Sequence, residues 1–149
     1  MRRLLVFLVL CVAATGCEQG GRSGSGAAGT YAGPQPAFTQ TDLSTGTGTR
    51  AAKTARMTVN YTGWVYDPNK PDHKGSQFDS SIGREPFAFT LGAGEVIPGW
   101  DQGFNDMRVG GKRRLILPGD MGYGEQGSPD GSIPPNAPLV FEMELLDVK

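Results

Sequence analysis

The chain has 149 residues, which leaves room for one domain and a tail but not comfortably for two. Charged residues make up only 19% and the formal net charge is -1, so no basic surface is available to attract a nucleic acid. Glycine (23) and proline (11) are abundant, which favours turns and short elements over long helices.

The chain opens with MRRLLVFLVLCVAATGC, which reads as an export signal. Arg2 and Arg3 supply the positive end. Leu4–Ala14 supplies an apolar core of 11 residues, within the signal-peptide range and too short to span a bilayer. Ala14-Thr15-Gly16-Cys17 resembles the lipobox of bacterial lipoproteins, although Val12-Ala13-Ala14 would also suit ordinary cleavage. Cys11 leaves with either signal, so Cys17 becomes a lone exported thiol with no disulfide partner. A lipidated Cys17 accounts for it, and each buried acyl methylene adds about 0.8 kcal/mol of membrane affinity. The expectation is a lipoprotein-type signal over 1–16 and an exported protein anchored by lipid at the periplasmic side of the cell envelope. Glu18 in place of aspartate fits outer-membrane sorting if the host has two membranes. Losing Arg2 and Arg3 would leave 12 basic residues against 15 acidic ones.

Residues 17–36 are rich in Gly, Ser, Ala and Pro and read as a flexible tether. Folding is expected over 37–149, with order beginning near Phe38. Within it, Met57, Val59 and Tyr61 alternate with Thr58, Asn60 and Thr62, the period of a half-buried strand. Residues 66–77, YDPNKPDHKGSQ, read as a long loop. Phe87 and Phe89 share one face of a strand ending at Leu91. Trp100, Phe104 and Met107 follow helical spacing, with Pro98 in the first turn and Gly110-Gly111 as the stop. Lys112–Leu117 is a strand closed by Pro118-Gly119. Phe141, Met143 and Leu145 alternate with Glu142 and Glu144, and the broken phase at Leu146 and Val148 predicts a bulge. One helix among several strands gives an α+β chain, the helix lying on one face of an antiparallel sheet.

Residues for the commoner chemistries are missing. His73 is the only histidine and stands without a ligand cluster, so no metal site and no Ser-His-Asp arrangement is expected. Gly92-Ala93-Gly94 and Gly110-Gly111-Lys112 lack the spacing of nucleotide loops and read as turns, so no cofactor is expected. Glu142 and Glu144 read as solvated edge charge. What remains is aromatic. Phe89 and Phe104 are core, but Tyr61, Phe78, Phe87, Trp100, Tyr123 and Phe141 exceed what a small core needs and suggest an apolar pocket.

The blocks VNYTGWVYD, QFDSS, PFAFTLGAGEVIPGWDQGF, VGGKRRLILPGDMGYG and IPPNAPLVFEMELLDV carry a resemblance. In this order, from about Arg56 to Val148, they resemble the FKBP-type peptidyl-prolyl cis-trans isomerases, the immunophilins that bind FK506- and rapamycin-like macrolides. The resemblance implies a strongly bent antiparallel sheet wrapped over one short helix. It implies a pocket floored by Trp100 and walled by Tyr61, Phe78, Phe87 and Phe141, with Val96, Ile97 and Ile133 at its edge. It also implies that Asp79 is the pocket carboxylate, and that the Tyr123 hydroxyl and the Ile97 N–H bond carbonyls of a bound peptide. Asp79, Tyr123, Trp100 and Phe141 are then the catalytic set. The loop after Tyr123 departs from the family's pattern at Ser128 and Ser132.

The expected activity is acceleration of Xaa-Pro rotation in unfolded exported proteins, by desolvation and shape fit. The expected partners are proline-containing peptides and macrolides, and the chain is expected to be a monomer. Two other readings remain open: a proline-peptide-binding or chaperone module with incidental isomerisation, and a lipoprotein that binds a small solute.

Overall fold

A computed structural model describes residues 29–149. Its elements in chain order are β1 (Thr39–Ser44), β2 (Arg56–Tyr66), β3 (Lys74–Ser80), β4 (Phe87–Thr90), α1 (Pro98–Gly103), β5 (Lys112–Leu117) and β6 (Leu139–Val148). Two single 3-10 turns, Gly119–Met121 and Gly124–Gln126, lie between β5 and β6. The strands form one curled antiparallel sheet in the order β1-β5-β6-β2-β3. β4 pairs with the first half of β2, and β3 pairs with its second half. The architecture is the α+β arrangement expected from the sequence.

Residue alternation sorts the two faces of the central strands. Val59 stands opposite Leu145, Tyr61 opposite Met143 and Gly63 opposite Phe141. On β5, Leu115 and Leu117 join Phe141 and Leu139 in the same row. These side chains meet Phe89, Leu91, Trp100, Phe104 and Met107 in the core between sheet and helix. The intervening residues, Asn60, Thr62, Glu142 and Glu144, take the outer face. The bulge falls where the phase breaks: Thr58 faces Asp147 and Val59 faces Leu145, so Leu146 is the extra residue.

The helix lies close against the sheet. A Cβ on Gly99 would strike the Leu117 side chain, and one on Gly103 would strike Leu115, so glycine at both positions permits the approach. Arg113 lies on the inward row yet is buried as a cation. It donates to Asp42 at 2.5 Å and to the carbonyls of Gly103 and Asn105 at 2.7 and 3.0 Å. It thereby satisfies the end of α1 and ties it to β1.

Three sequence expectations change. The helix ends at Gly103, not at Gly110-Gly111, because Asp106 adopts a left-handed φ of 65° and turns the chain earlier. Aspartate visits that conformation without the help of glycine, and Phe104 and Met107 stay buried beyond the helix end. The long loop over 66–77 shrinks to 67–73, since Lys74–Ser80 is strand β3. β1 has no counterpart among the expected strands, because every one of its residues is exposed and no periodic face marks it. Backbone pairing with a neighbour holds β1 and β3, helped by the Arg113 bond to Asp42 in β1 and by Phe78, the one β3 ring packed against the core.

Residues 1–28, including the expected export signal and Cys17, lie outside the described residues. The last part of the expected tether is docked on the domain. The Tyr31 N–H donates to the Pro135 carbonyl at 2.9 Å, and the Gln35 side chain bonds the backbone of Gly119 and Asn136. Among the described residues, no helix is long and apolar enough to cross a membrane.

Candidate active site

The site begins with the approach to α1. Pro98 biases the preceding residue toward extended backbone, and Ile97 has φ -59° and ψ 149°. The Ile97 carbonyl accepts from the Trp100 N–H at 3.0 Å, which starts the helix and sets the indole in its first turn. Among the described residues the Ile97 N–H donates to no backbone carbonyl.

Trp100 is the hub of the aromatic cluster. Its ring lies 5.0 Å from Tyr61, 5.3 Å from Phe141, 5.7 Å from Phe104, 5.8 Å from Phe89 and 6.0 Å from Phe87. Most of these pairs meet edge to face, a favourable arrangement of aromatic quadrupoles. The indole is buried, and its N–H has no acceptor among the described residues. Beside it opens a hollow of about 420 Å³ lined by Tyr61, Phe87, Val96, Ile97, Tyr123 and Phe141, with Gly94 and Glu95 completing the lining. That volume is within the range of small-molecule sites.

The other expected residues lie next to this hollow. Phe78 packs edge-on against Phe141 with centroids 5.5 Å apart. A Cβ at Gly63 would come within 2.5 Å of Phe78 and 2.7 Å of Phe141, so glycine lets both rings lie against β2. Phe78, Asp79 and the buried Ile133 line a second cleft of about 360 Å³ together with Tyr123, Ser128 and Asp130. Tyr123 belongs to both cavities. Asp79 does not line the aromatic hollow itself; it is joined to it through Tyr61.

That joint is a hydrogen bond donated by the Tyr61 hydroxyl to the Asp79 carboxylate. Arg84 donates to the same group at 2.5 Å, and the Ser80 N–H at 2.8 Å. Burial alone would raise the Asp79 carboxyl, but the bonds from Tyr61, Arg84 and Ser80 outweigh it and lower its pKa. Burial and the bond to Asp79 push the Tyr61 phenol up. Burial, followed by the charges of Asp79 and Asp130, raises Tyr123 as well. Hydrogen bonds from Ser128 and Ser132 hold Asp130 down at about 2. At neutral pH Tyr61 and Tyr123 are therefore neutral phenols and Asp79 and Asp130 ionised carboxylates, each shifted further from neutrality.

Arg84 is the residue that sequence reasoning misses. It follows Asp79 across a turn in which Gly83 has φ 80°, so an acid and a base separated by Ser-Ser-Ile-Gly is the available signal. Glu95 is missed too; it accepts from the Thr90 N–H at 2.9 Å and fixes the segment leading to Val96. Among the described residues there is no cluster of side chains able to hold a metal ion.

Comparison with known proteins places the chain in a family and finds the same fold in solved structures. The family model described as FKBP-type peptidyl-prolyl cis-trans isomerase matches residues 48–146. An FK506-binding protein of Neisseria meningitidis serogroup A is 50% identical over 108 residues, covering 72% of this chain and 92% of that protein. FK506-binding protein 1B of Aspergillus fumigatus is 55% identical over 92 residues, covering 61% of this chain and 76% of that protein. Among solved structures, AtFKBP13 matches with a TM-score of 0.64 at 34% identity, covering 77% of this chain and 96% of that one. FkpA from Escherichia coli matches with a TM-score of 0.62 at 39% identity, over 75% of this chain. This chain spans about half of FkpA, 48% of its length. The curled antiparallel sheet crossed by one short helix is thus shared with these proteins, and the chain belongs to the FKBP-type peptidyl-prolyl cis-trans isomerases.

Proposed function

We propose that this isomerase accelerates Xaa-Pro rotation in exported proteins, and that it does so in the hollow beside Trp100. Rotation about the bond breaks no covalent link; the obstacle is lost amide resonance, roughly 18–20 kcal/mol. Water stabilises the planar, more polar amide more than the twisted one. A hollow walled by Tyr61, Phe87, Trp100 and Phe141 removes that advantage, and its shape favours the twisted form. The Ile97 N–H and the Tyr123 hydroxyl hold the flanking carbonyls. Asp79, held by Arg84, fixes the Tyr61 ring as a wall and faces the adjoining cleft. The observation that carries this reading is the set of rings converging on Trp100 around an open cavity with no titrating acid or base poised near neutrality.

The names of the relatives support binding of FK506-like macrolides in the same hollow, where the macrolide would compete with peptide. The sequence around Cys17 supports a lipid anchor at the cell envelope. We also propose that the protein acts as a monomer. Mass spectrometry of the mature chain and sedimentation velocity test the last two readings.

The deciding experiment is a cis-to-trans assay on Xaa-Pro peptides. Wild type should accelerate isomerisation, Tyr123→Phe should retain part of the rate, and Asp79→Ala should lose about tenfold, since one disrupted contact costs roughly 1.4 kcal/mol of transition-state binding. Equal rates for wild type and both variants would refute the site, and competition by FK506 tests the ligand directly.

A further inference from the structure

The family model begins at residue 48, so Tyr31 and Gln35 lie ahead of it. Both are nonetheless fastened to the loop that carries part of the site. That loop runs from Gly119 to Asn136 between β5 and β6, and it contributes Tyr123, Asp130 and Ile133 to the two cavities. Its two ends touch: a Cβ on Gly119 would collide with the backbone of Asn136.

Gln35 sits across this junction. Its side-chain Oε1 accepts from the Gly119 N–H at 2.8 Å, and its Nε2 donates to the Asn136 carbonyl at 2.8 Å. A primary amide has an acceptor on one atom and donors on the other, so it can satisfy an N–H and a C=O at once. Few side chains could replace it. Next to it, the Tyr31 N–H bonds the Pro135 carbonyl, and the Tyr31 ring packs against the core.

The tip of the loop is tied internally, by the bonds of Ser128 and Ser132 to Asp130 and of the Ile133 N–H to Ser128, whereas its base is closed by the meeting of Gly119 and Asn136 and by Gln35. Four of its residues, Gly124, Gly127, Gly131 and Asn136, have left-handed φ values, and apart from two single 3-10 turns it contains no regular element. Its internal backbone ties include the Asn136 N–H to the Gly124 carbonyl at 2.7 Å and the Ser128 N–H to the Ile133 carbonyl at 3.0 Å. Closing the base of such a loop restricts everything between the closed ends.

We propose that Gln35 is a positioning residue for the isomerase. By clasping Gly119 to Asn136 it sets the placement of Tyr123, four residues beyond the clasped Gly119, while core packing already holds Ile133; the segment ahead of the family domain thus governs how substrate is held. The inference rests on the reading that Tyr123 faces substrate. It assigns to the docked residues 31–36 a part in catalysis that a spacer would not have.

The test uses the full chain with Gln35→Met, which keeps the side-chain length and removes both hydrogen bonds, and Gln35→Glu, which keeps only the acceptor. Gln35 is exposed, so neither change disturbs the core. Steady-state kinetics on an Xaa-Pro peptide are paired with amide hydrogen exchange. Gln35→Met should raise KM about threefold with kcat little changed, the mark of weakened substrate positioning. Exchange over 119–136 should quicken about tenfold while β2 and β6 stay protected, as local opening requires. Gln35→Glu should behave like Gln35→Met, because its carboxylate repels the Asn136 carbonyl. Faster exchange with unchanged KM would overturn the proposal and leave the clasp structural only. Unchanged exchange would overturn it by showing that the loop closes without Gln35. Failure of the site reading looks different: there, Tyr123→Phe and Asp79→Ala have no effect on a wild-type chain whose loop exchange still depends on Gln35.

Discussion

The two faces of β2 and β6 are built from alternate residues of the same strands, yet they are held together by different physics. The inward face packs Val59, Tyr61, Phe141 and Met143 against Trp100 and Phe104, in a contact set where shape decides the energy. The outer face carries a charge network. Glu142 meets Lys74 at 2.8 Å and Arg114 at 2.7 Å, Arg114 reaches Asp72 at 3.3 Å, and the Lys74 ammonium lies 4.5 Å from the Trp64 ring. Such pairs sit in or near water, where hydration offsets most of their attraction. One face therefore tolerates little change of shape, while the other tolerates many changes of charge. The hollow proposed as the site lies on the intolerant face, where rigid walls can keep its shape.

The inward hub should respond most strongly. Trp100→Ala removes the partner of Tyr61, Phe87, Phe89, Phe104 and Phe141 and should destabilise the fold by about 3–5 kcal/mol, measured by urea denaturation. A loss below about 1 kcal/mol, within the ordinary range of surface changes, would mean that the cluster does not depend on the indole. Next comes Gly63→Ala, which adds one methyl group where Phe78 and Phe141 already crowd the backbone. It should cost about 1–3 kcal/mol by overpacking and reduce turnover as the rings shift. Full activity with full stability would show that the walls yield more easily than the spacing suggests.

Tyr61→Phe keeps the wall and deletes one hydrogen bond to Asp79, so a smaller loss of about 0.5–1.5 kcal/mol is expected. Its more direct readout is the Asp79 carboxyl, whose pKa should rise in an NMR titration once Tyr61 no longer stabilises the charged form. The weakest response belongs to the outer face. Glu142→Gln should change stability by about 1 kcal/mol or less at neutral pH and leave isomerisation untouched. A clear loss of activity would couple the two faces in a way their separation does not provide.

Acid extends the same contrast. Burial would raise Glu142, but Lys74 and Arg114 outweigh it and lower its pKa, and Asp79 is lowered by its own partners. A carboxyl with a depressed native pKa contributes stability that is fully present above its unfolded value of about 4. That stability is lost as pH falls through the native value. Thermal stability should hence be level from about pH 6 to 8 and fall below about pH 4, with Glu142→Gln showing a shallower acid limb. Isomerisation should stay flat from about pH 6 to 8, since Tyr61 and Tyr123 are shifted further above that range. A bell-shaped profile near neutrality would contradict catalysis without proton transfer.

Legibility in the sequence follows burial. β2, β5 and β6 have one face in the core, so their apolar residues alternate visibly, and the lost phase at Leu146 marks the bulge. β1 and β3 are obscure because TQTDLS and KGSQFDS bury little and depend on the edge of a neighbour. The helix start is legible from Pro98 and Trp100, whereas its end is not, since the left-handed turn comes at an aspartate. In the site, the aromatic residues announce themselves by number and spacing. Their division into two cavities, the ties from Arg84 and Tyr61 to Asp79, and the docking of Gln35 have no local trace.

Residue order alone was enough to say which positions are apolar, which strands carry a buried face, and that the chain has more aromatic rings than a small core needs. Those are properties of composition and short-range period, where each residue's neighbours along the chain are also its neighbours on one face. Folding in three dimensions settled which edges pair, which carboxylate is held by which base, and that a glutamine ahead of the domain closes a loop whose near end lies 84 positions away. Such contacts join residues remote along the chain, and their energy exists only once the backbone has brought them together.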